Sequence, residues 1–82
     1  MKLSTYIKDL QKILKDHGDS ECVYSSDDEG NCYNSVHFNP GAGFMLSSEI
    51  GKNNIESFVN KMEHAITEGH KESDMVKAVV IN

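Results

Sequence analysis

Apolar residues near the start of the chain recur at intervals of three and four, which predicts an amphipathic helix. Ser4 is the expected N-cap, and Gly18 stands where a helix would end in a left-handed turn. We therefore expect one helix between these two residues. Its apolar stripe consists of Leu3, Tyr6, Ile7, Leu10, Ile13 and Leu14.

Residues 21–38 predict two short strands that fold back on each other. The first strand is expected at 21–25 and the returning strand at 32–38, because polar and apolar side chains alternate in both segments. The intervening residues 26–31 are rich in Asp, Gly and Asn, which tolerate turn conformations and bond to their own backbone amides. The rest of the chain is organised around this hairpin.

The second half predicts further short elements. Asn39 to Gly43 forms a strong turn signal, 44–46 can add a third strand, and 47–52 is expected to be a loop. An apolar stripe at Ile55, Phe58, Val59, Met62 and Ile66 predicts a second helix, which Asn53 or Asn54 caps and Gly69 ends. The continuous apolar run at 75–81 predicts a well-buried strand.

These elements define an α+β fold with the order α-β-β-(β)-α-β. We expect a small, mainly antiparallel sheet of three or four strands, with both helices on one face. The 82 residues form a single predicted domain, 1–82. A chain of this length has a thin core, so it is better suited to presenting a surface than to enclosing a substrate.

Charge narrows the range of partners. The chain carries a net charge of -5, and its 8 basic residues are all lysine. Because arginine is the preferred residue for bidentate contacts to phosphate and guanine, we do not expect the chain as a whole to bind nucleic acid, and we expect a protein partner with a basic surface. No stretch is long enough to cross a bilayer, and the opening MKLSTYIKDL lacks a signal-peptide pattern, so we expect a cytoplasmic protein.

No motif predicts catalysis, a cofactor or a metal. Cys22 and Cys32 flank the turn and could lie close together across the two strands, but their spacing does not match a zinc site, and reduced thiols are expected in a cytoplasm. If Gly30 took the glycine position of a calcium loop, Val36 would take the last ligand position, where a carboxylate is needed. The four histidines are scattered. We therefore expect a protein that is not an enzyme.

Carboxylates cluster before and within the predicted hairpin turn, with no basic residue between Asp16 and Glu29 other than His17. Such a segment can imitate a phosphate backbone and occupy a basic groove, although turn carboxylates also serve only as a solvated surface. Two tyrosines flank the turn, and tyrosine is enriched in interfaces. The candidate partner-binding residues are Asp19, Glu21, Tyr24, Asp27, Asp28, Glu29 and Tyr33.

The hairpin sequence resembles small acidic proteins encoded by tailed phages. The resemblance rests on the opening helix, a short turn, a strand and the DDEGN-x-Y pattern, and it does not extend to residues 44–74. It implies a role in blocking host restriction enzymes, CRISPR effectors, toxins or polymerases, and it implies no catalytic residue. The matching pieces are residues 3–14, Gly18-Asp19, residues 22–24, residues 27–31 with Tyr33, and residues 79–81.

Three hypotheses follow. The first is a phage accessory protein that binds and inhibits or modulates a host protein through the acidic hairpin, so that charge reversal at Asp27, Asp28 and Glu29 abolishes binding. The second is a self-assembling protein, possible as a homodimer, in which the exposed edge of the 75–81 strand pairs with another copy. The third is RNA binding through a lysine face of the first helix, formed by Lys8, Lys12 and Lys15.

Overall fold

The computed structural model describes residues 1–27 and 29–81, so Asp28 and Asn82 lie outside the described residues. The α+β class is confirmed. Short 3-10 turns at Ser47–Glu49 and Glu72–Asp74 accompany the main elements. In chain order these are α1 (Leu3–His17), β1 (Val23–Ser25), β2 (Tyr33–Ser35), β3 (Gly41–Leu46), α2 (Met62–Thr67) and β4 (Met75–Val80).

The four strands form two separate two-stranded antiparallel sheets, β1–β2 and β3–β4, instead of the one predicted sheet. The chain divides accordingly into two compact units, residues 1–36 and residues 37–82. Both edges of β3 are occupied. One edge pairs with β4, and the other forms a bridge between Phe44 and Val59. Strand β2 therefore does not extend the predicted meander at β3, and the described strands give the two helices no common sheet.

Helix α1 begins at Leu3, one residue before the predicted cap Ser4, and ends at Gly18 as predicted. The backbone of Gly18 has a φ of 83°, which favours glycine, and its amide donates a hydrogen bond to the Leu14 carbonyl. The predicted stripe is exposed: Leu3, Ile7, Leu10, Ile13 and Leu14 lie between 44% and 56% accessible.

The predicted turn at 39–43 is wrong in its second half, because Gly41 to Gly43 belong to β3. Gly43 serves a close approach and not a turn. A Cβ atom on Gly43 would lie 2.4 Å from both the Phe58 ring and the carbonyl oxygen of Val59. Only glycine leaves room for the backbone of β3 to meet residues 58 and 59 at this distance.

The predicted second helix is much shorter than expected, since α2 begins at Met62. Ser57 is buried, and its hydroxyl oxygen accepts a hydrogen bond from the Leu46 amide at 2.8 Å. The Glu49 carboxylate accepts hydrogen bonds from the amides of Glu56 and Ser57 at 3.2 and 3.0 Å. These contacts hold residues 56–59 in a non-helical conformation beside β3, so tertiary bonding overrides a helical pattern.

Strand β4 occupies nearly the predicted range, but it is not well buried. Met75 is buried, whereas Val79 and Val80 remain 38% and 36% exposed. The buried residues of the second unit also include Ala65 and Ser57. None of the helices found in residues 1–27 and 29–81 has the length and apolar character needed to cross a membrane.

Candidate protein-binding surface

The candidate surface is the β1–β2 hairpin with its turn. Its register pairs Val23 with Ser35, Tyr24 with Asn34 and Ser25 with Tyr33. Every residue of both strands is exposed. The predicted hairpin is confirmed by this pairing, but its strands are shorter than the predicted ranges 21–25 and 32–38, and the expected half-buried alternation is absent from them.

Asp27 organises the turn. Its carboxylate oxygen Oδ1 accepts hydrogen bonds from the backbone amides of Asn31 at 2.8 Å and Cys32 at 3.4 Å. The Ser25 hydroxyl donates to the same oxygen at 3.3 Å and to the Asp27 carbonyl at 2.8 Å. Gly30 completes the turn with a φ of 71°. A short polar side chain that bonds to its own backbone is what the turn composition predicts.

These contacts also set the charge state of Asp27. Partial desolvation by itself raises its pKa, but hydrogen bonds from Asn31, Cys32 and Ser25 outweigh that effect and lower the pKa below its usual value. The hydrogen bonds favour the ionised form because the carboxylate is the better acceptor. Asp27 is therefore a negative charge that the turn itself uses.

The remaining candidate carboxylates differ from Asp27 in their contacts. Glu29 accepts one hydrogen bond, from the side-chain amide of Asn31 at 3.0 Å, and stays exposed. Asp19 and Glu21 are also exposed. Asp28 lies outside the described residues. Asp19 and Glu21, before β1, and Glu29, within the turn, are thus carboxylates that the structure leaves exposed to solvent.

The two candidate tyrosines project from opposite faces of the hairpin. Paired residues share a face and consecutive residues alternate, so Tyr24 lies with Asn34, while Tyr33 lies with Ser25. Tyr33 shares its face with Val23, and these two side chains are 62% and 59% exposed. Tyr24 is 39% exposed. A flat partner can contact one of these faces, so the seven candidate residues do not form one continuous patch.

The two cysteines lie at opposite ends of the hairpin. The Cys22 carbonyl accepts a bond from the Val36 amide, and the Cys32 carbonyl accepts one from the Ser26 amide. Cys22 and Cys32 are therefore separated by about four residues along the strands, roughly 13 Å, which is too far for a disulfide. Both are free and exposed. The expectation that they lie close together is wrong.

The lysine face of α1 is not a pure basic patch. Lys8, Lys12 and Lys15 are exposed, but Asp9 and Asp16 lie next to them around the helix at 100° per residue. Carboxylates beside the lysines weaken the attraction for a phosphate backbone. No geometric observation favours the RNA-binding hypothesis.

The contact network around Glu49 and Ser57 was not indicated by any motif. It borders an open depression of about 280 Å³ that three glutamates help to line. Within the described part of the chain, no group of three or more His, Cys, Asp or Glu residues is placed to hold a metal ion. The β-branched Ile55 and Val59 are the one sequence sign that this segment favours an extended backbone. The lining residues are Leu46, Glu49, Glu56, Ser57, Glu68 and His70.

Comparison with known proteins gives no further guide to the surface. No protein-family model, no curated protein and no solved structure matches this chain. The functional argument therefore depends on the geometry and charge of the chain itself.

Proposed function

We propose that this chain is a non-enzymatic binding protein that presents the β1–β2 hairpin to a basic surface of another protein. The observation that carries the proposal is the hydrogen-bond network of Asp27 beside an exposed carboxylate. Asp27 accepts bonds from the amides of Asn31 and Cys32, while Glu29 stays exposed. Backbone bonds that already exist before binding reduce the loss of conformational entropy on association.

The partner class follows from charge and from the resemblance to acidic phage-encoded proteins. A host defence or nucleic-acid-processing protein carries a basic groove for its nucleic acid, and an acidic hairpin can cover that groove. The chain would then act by occlusion, which requires no catalytic residue. Electrostatic complementarity would contribute mainly to the association rate and to specificity.

The first experiment is an affinity pulldown from a bacterial lysate with the tagged chain, followed by titration of each captured protein in purified form. The hairpin variant combines Glu21→Lys with Glu29→Lys, and it leaves the Asp27 bonds intact. The control combines Glu63→Lys with Glu72→Lys, two exposed residues of the second unit. Both variants change the net charge equally, so they separate a local effect from a general one.

We expect the hairpin variant to bind the purified partner at least about tenfold more weakly, with the control close to wild type. Equal affinities for both variants would contradict the proposal. Tyr33→Ser and Tyr24→Ser then identify the face that contacts the partner, since these side chains lie on opposite sides of the hairpin. We expect the larger loss for Tyr33, because its face also exposes Val23.

A further inference from the structure

One edge of strand β4 pairs with β3, and no described strand pairs with its outer edge. The hydrogen bonds of β3 show which residues of β4 point to that outer edge. The amide and carbonyl of Phe44 exchange two bonds of 2.9 Å with Val59, on the side of β3 away from β4. In an antiparallel ladder, backbone groups of successive residues point to alternate sides. Gly43 and Met45 are therefore the residues of β3 that direct their amides and carbonyls toward β4.

The residue pairing between β3 and β4 shows which residues of β4 direct their amides and carbonyls toward β3. Gly43 lies opposite Ala78 and Met45 opposite Val76. Val76 and Ala78 therefore bond to β3, whereas the amides and carbonyls of Lys77 and Val79 point to the outer edge. No other strand in residues 1–27 and 29–81 pairs with that edge. An unpaired row of this kind is a template for another strand.

We infer that the outer edge of β4 pairs with the same edge of a second copy of this chain, antiparallel and about a two-fold axis at Ala78. A two-stranded sheet is marginal by itself, and this pairing converts β3–β4 into a four-stranded sheet. The pairing also brings partly exposed apolar side chains of the two copies together. These are Val79, Val80 and Ile81, which are 36–46% exposed.

The charge of β4 suits a second copy of this chain as the occupant. Residues 75–81 contain one charge, Lys77, and no carboxylate, in a chain with 13 acidic residues. Two copies of this acidic chain can therefore pair along β4 without a carboxylate on either strand. The pairing uses the same surface on both copies, as a closed two-fold dimer requires.

Lys77 also selects the register. An axis at Lys77 would place the two lysines directly opposite each other, and like charges in that position are destabilising. An axis at Ala78 places Lys77 opposite Val79 of the second copy, and these two residues are the ones with outward amides and carbonyls. The same register overlaps all of β4, with Val76 opposite Val80 and Met75 opposite Ile81 of the second copy.

The contact is small, and this limits its strength. One strand edge of six residues covers far less than the ~800 Å² per partner of a standard stable interface. We therefore expect a reversible dimer whose population rises with concentration. Sedimentation velocity over a concentration series up to about 1 mM measures it, and a wild-type chain that stays monomeric throughout would overturn the inference.

A proline variant tests the edge. Val79→Pro removes an amide that points outward, so the ladder to β3 stays intact. Val79→Thr keeps that amide and serves as the matched control. We expect Val79→Pro to sediment as a monomer with an unchanged circular dichroism spectrum, and Val79→Thr to dimerise like wild type. Dimerisation of the proline variant would contradict the inference.

Disulfide trapping tests the register without a proline, so it decides the question if Val79→Pro unfolds. In a Cys22→Ser, Cys32→Ser background, Ala78→Cys places two thiols across the axis at a Cα separation of about 4.5 Å, within disulfide range. The control Val76→Cys places its thiols four positions apart, roughly 13 Å. We expect covalent dimers from Ala78→Cys only, and equal yields from both variants would exclude this register.

Discussion

The two sheets of this chain each contain two strands, but different contacts stabilise them. The β1–β2 hairpin exposes every strand residue and is ordered by polar contacts around Asp27. The β3–β4 sheet meets residues 57–59 closely enough that position 43 must be glycine, and its unit contains the buried Ala65 and Met75. A local turn is sufficient to form the first sheet, whereas the second depends on contacts between residues distant in the sequence.

This difference separates the roles of the two regions. The hairpin can change its surface charges with little loss of packing, because every residue of its strands is exposed. The second unit cannot change its contact residues so freely, since each one is packed or bonded to another segment. The hairpin can therefore carry the charge changes that test the proposed function, whereas substitutions in the second unit test its packing.

The largest expected effect comes from Gly43→Ala. The added methyl group would overlap the Phe58 ring and the Val59 carbonyl at 2.4 Å. Overpacking of this kind costs about 1–3 kcal/mol of the free energy of unfolding, and the backbone partner leaves little room to relax. Urea denaturation followed by circular dichroism measures the loss.

Gly41→Ala is the matched control, because it makes the same change in the same strand with nothing within 4 Å of the added atom. We expect it to be neutral or to stabilise by about 0.4–1 kcal/mol, since alanine restricts the unfolded chain. Equal destabilisation by the two variants would show that close packing at Gly43 is not what distinguishes the second sheet.

Local sequence signals predicted the first unit well. The apolar stripe of α1, its end at Gly18 and the Asp-Gly-Asn turn all depend on residues near one another in the chain. The register of the hairpin was not predictable, because the turn is longer than a two-residue loop. As a result, the opposite faces of Tyr24 and Tyr33 became evident only from the strand pairing.

Sequence patterns failed where distant residues decide the conformation. The stripe from Ile55 to Ile66 fits a helix, but Ser57 bonds to Leu46 and Glu49 holds the amides of residues 56 and 57. Glycines at 41 and 43 suggested a turn, although the Phe58 ring is the reason that position 43 lacks a side chain. Neither contact has a sequence signature, because propensity is a weak guide against tertiary bonding.

A smaller effect is expected for Ser57→Ala. Loss of the buried hydroxyl leaves the Leu46 amide without its 2.8 Å acceptor. An unsatisfied buried donor costs about 1–3 kcal/mol, and we expect the lower half of that range because Leu46 is only half-buried. The measurement is again urea denaturation.

Ser48→Ala, at an exposed serine in the preceding turn, should change stability by less than about 0.5 kcal/mol. If Ser57→Ala lowers the free energy of unfolding no more than Ser48→Ala does, the hydrogen bond between Ser57 and Leu46 does not stabilise the second unit.

Acid titration gives the smallest effect and compares both units in one sample. Hydrogen bonds from the Ser57 hydroxyl and the Glu56 amide lower the pKa of Glu49 below its usual 4.5, and the turn bonds lower the pKa of Asp27 below 3.8. A carboxylate whose pKa is lower in the folded chain than in the unfolded chain stabilises the fold at pH values above its unfolded pKa. This stabilisation is lost as the pH falls through its folded-state pKa. Each carboxylate therefore supports its own unit at neutral pH and ceases to do so in acid.

Amide chemical shifts of Asn31 and Ser57, followed by NMR, report the two titrations separately. We expect both midpoints to lie below the usual values. Ser25→Ala should raise the midpoint at Asp27 and leave Glu49 unchanged, whereas Ser57→Ala should do the reverse.

Because Glu49 begins to lose its contribution near pH 4.5 and Asp27 only near 3.8, acid should weaken the second unit first. Glu49→Gln should then flatten the pH dependence of unfolding below 4.5. A hairpin that responds at a higher pH than Glu49 would reverse this order, and the polar turn would then be the more acid-sensitive of the two regions.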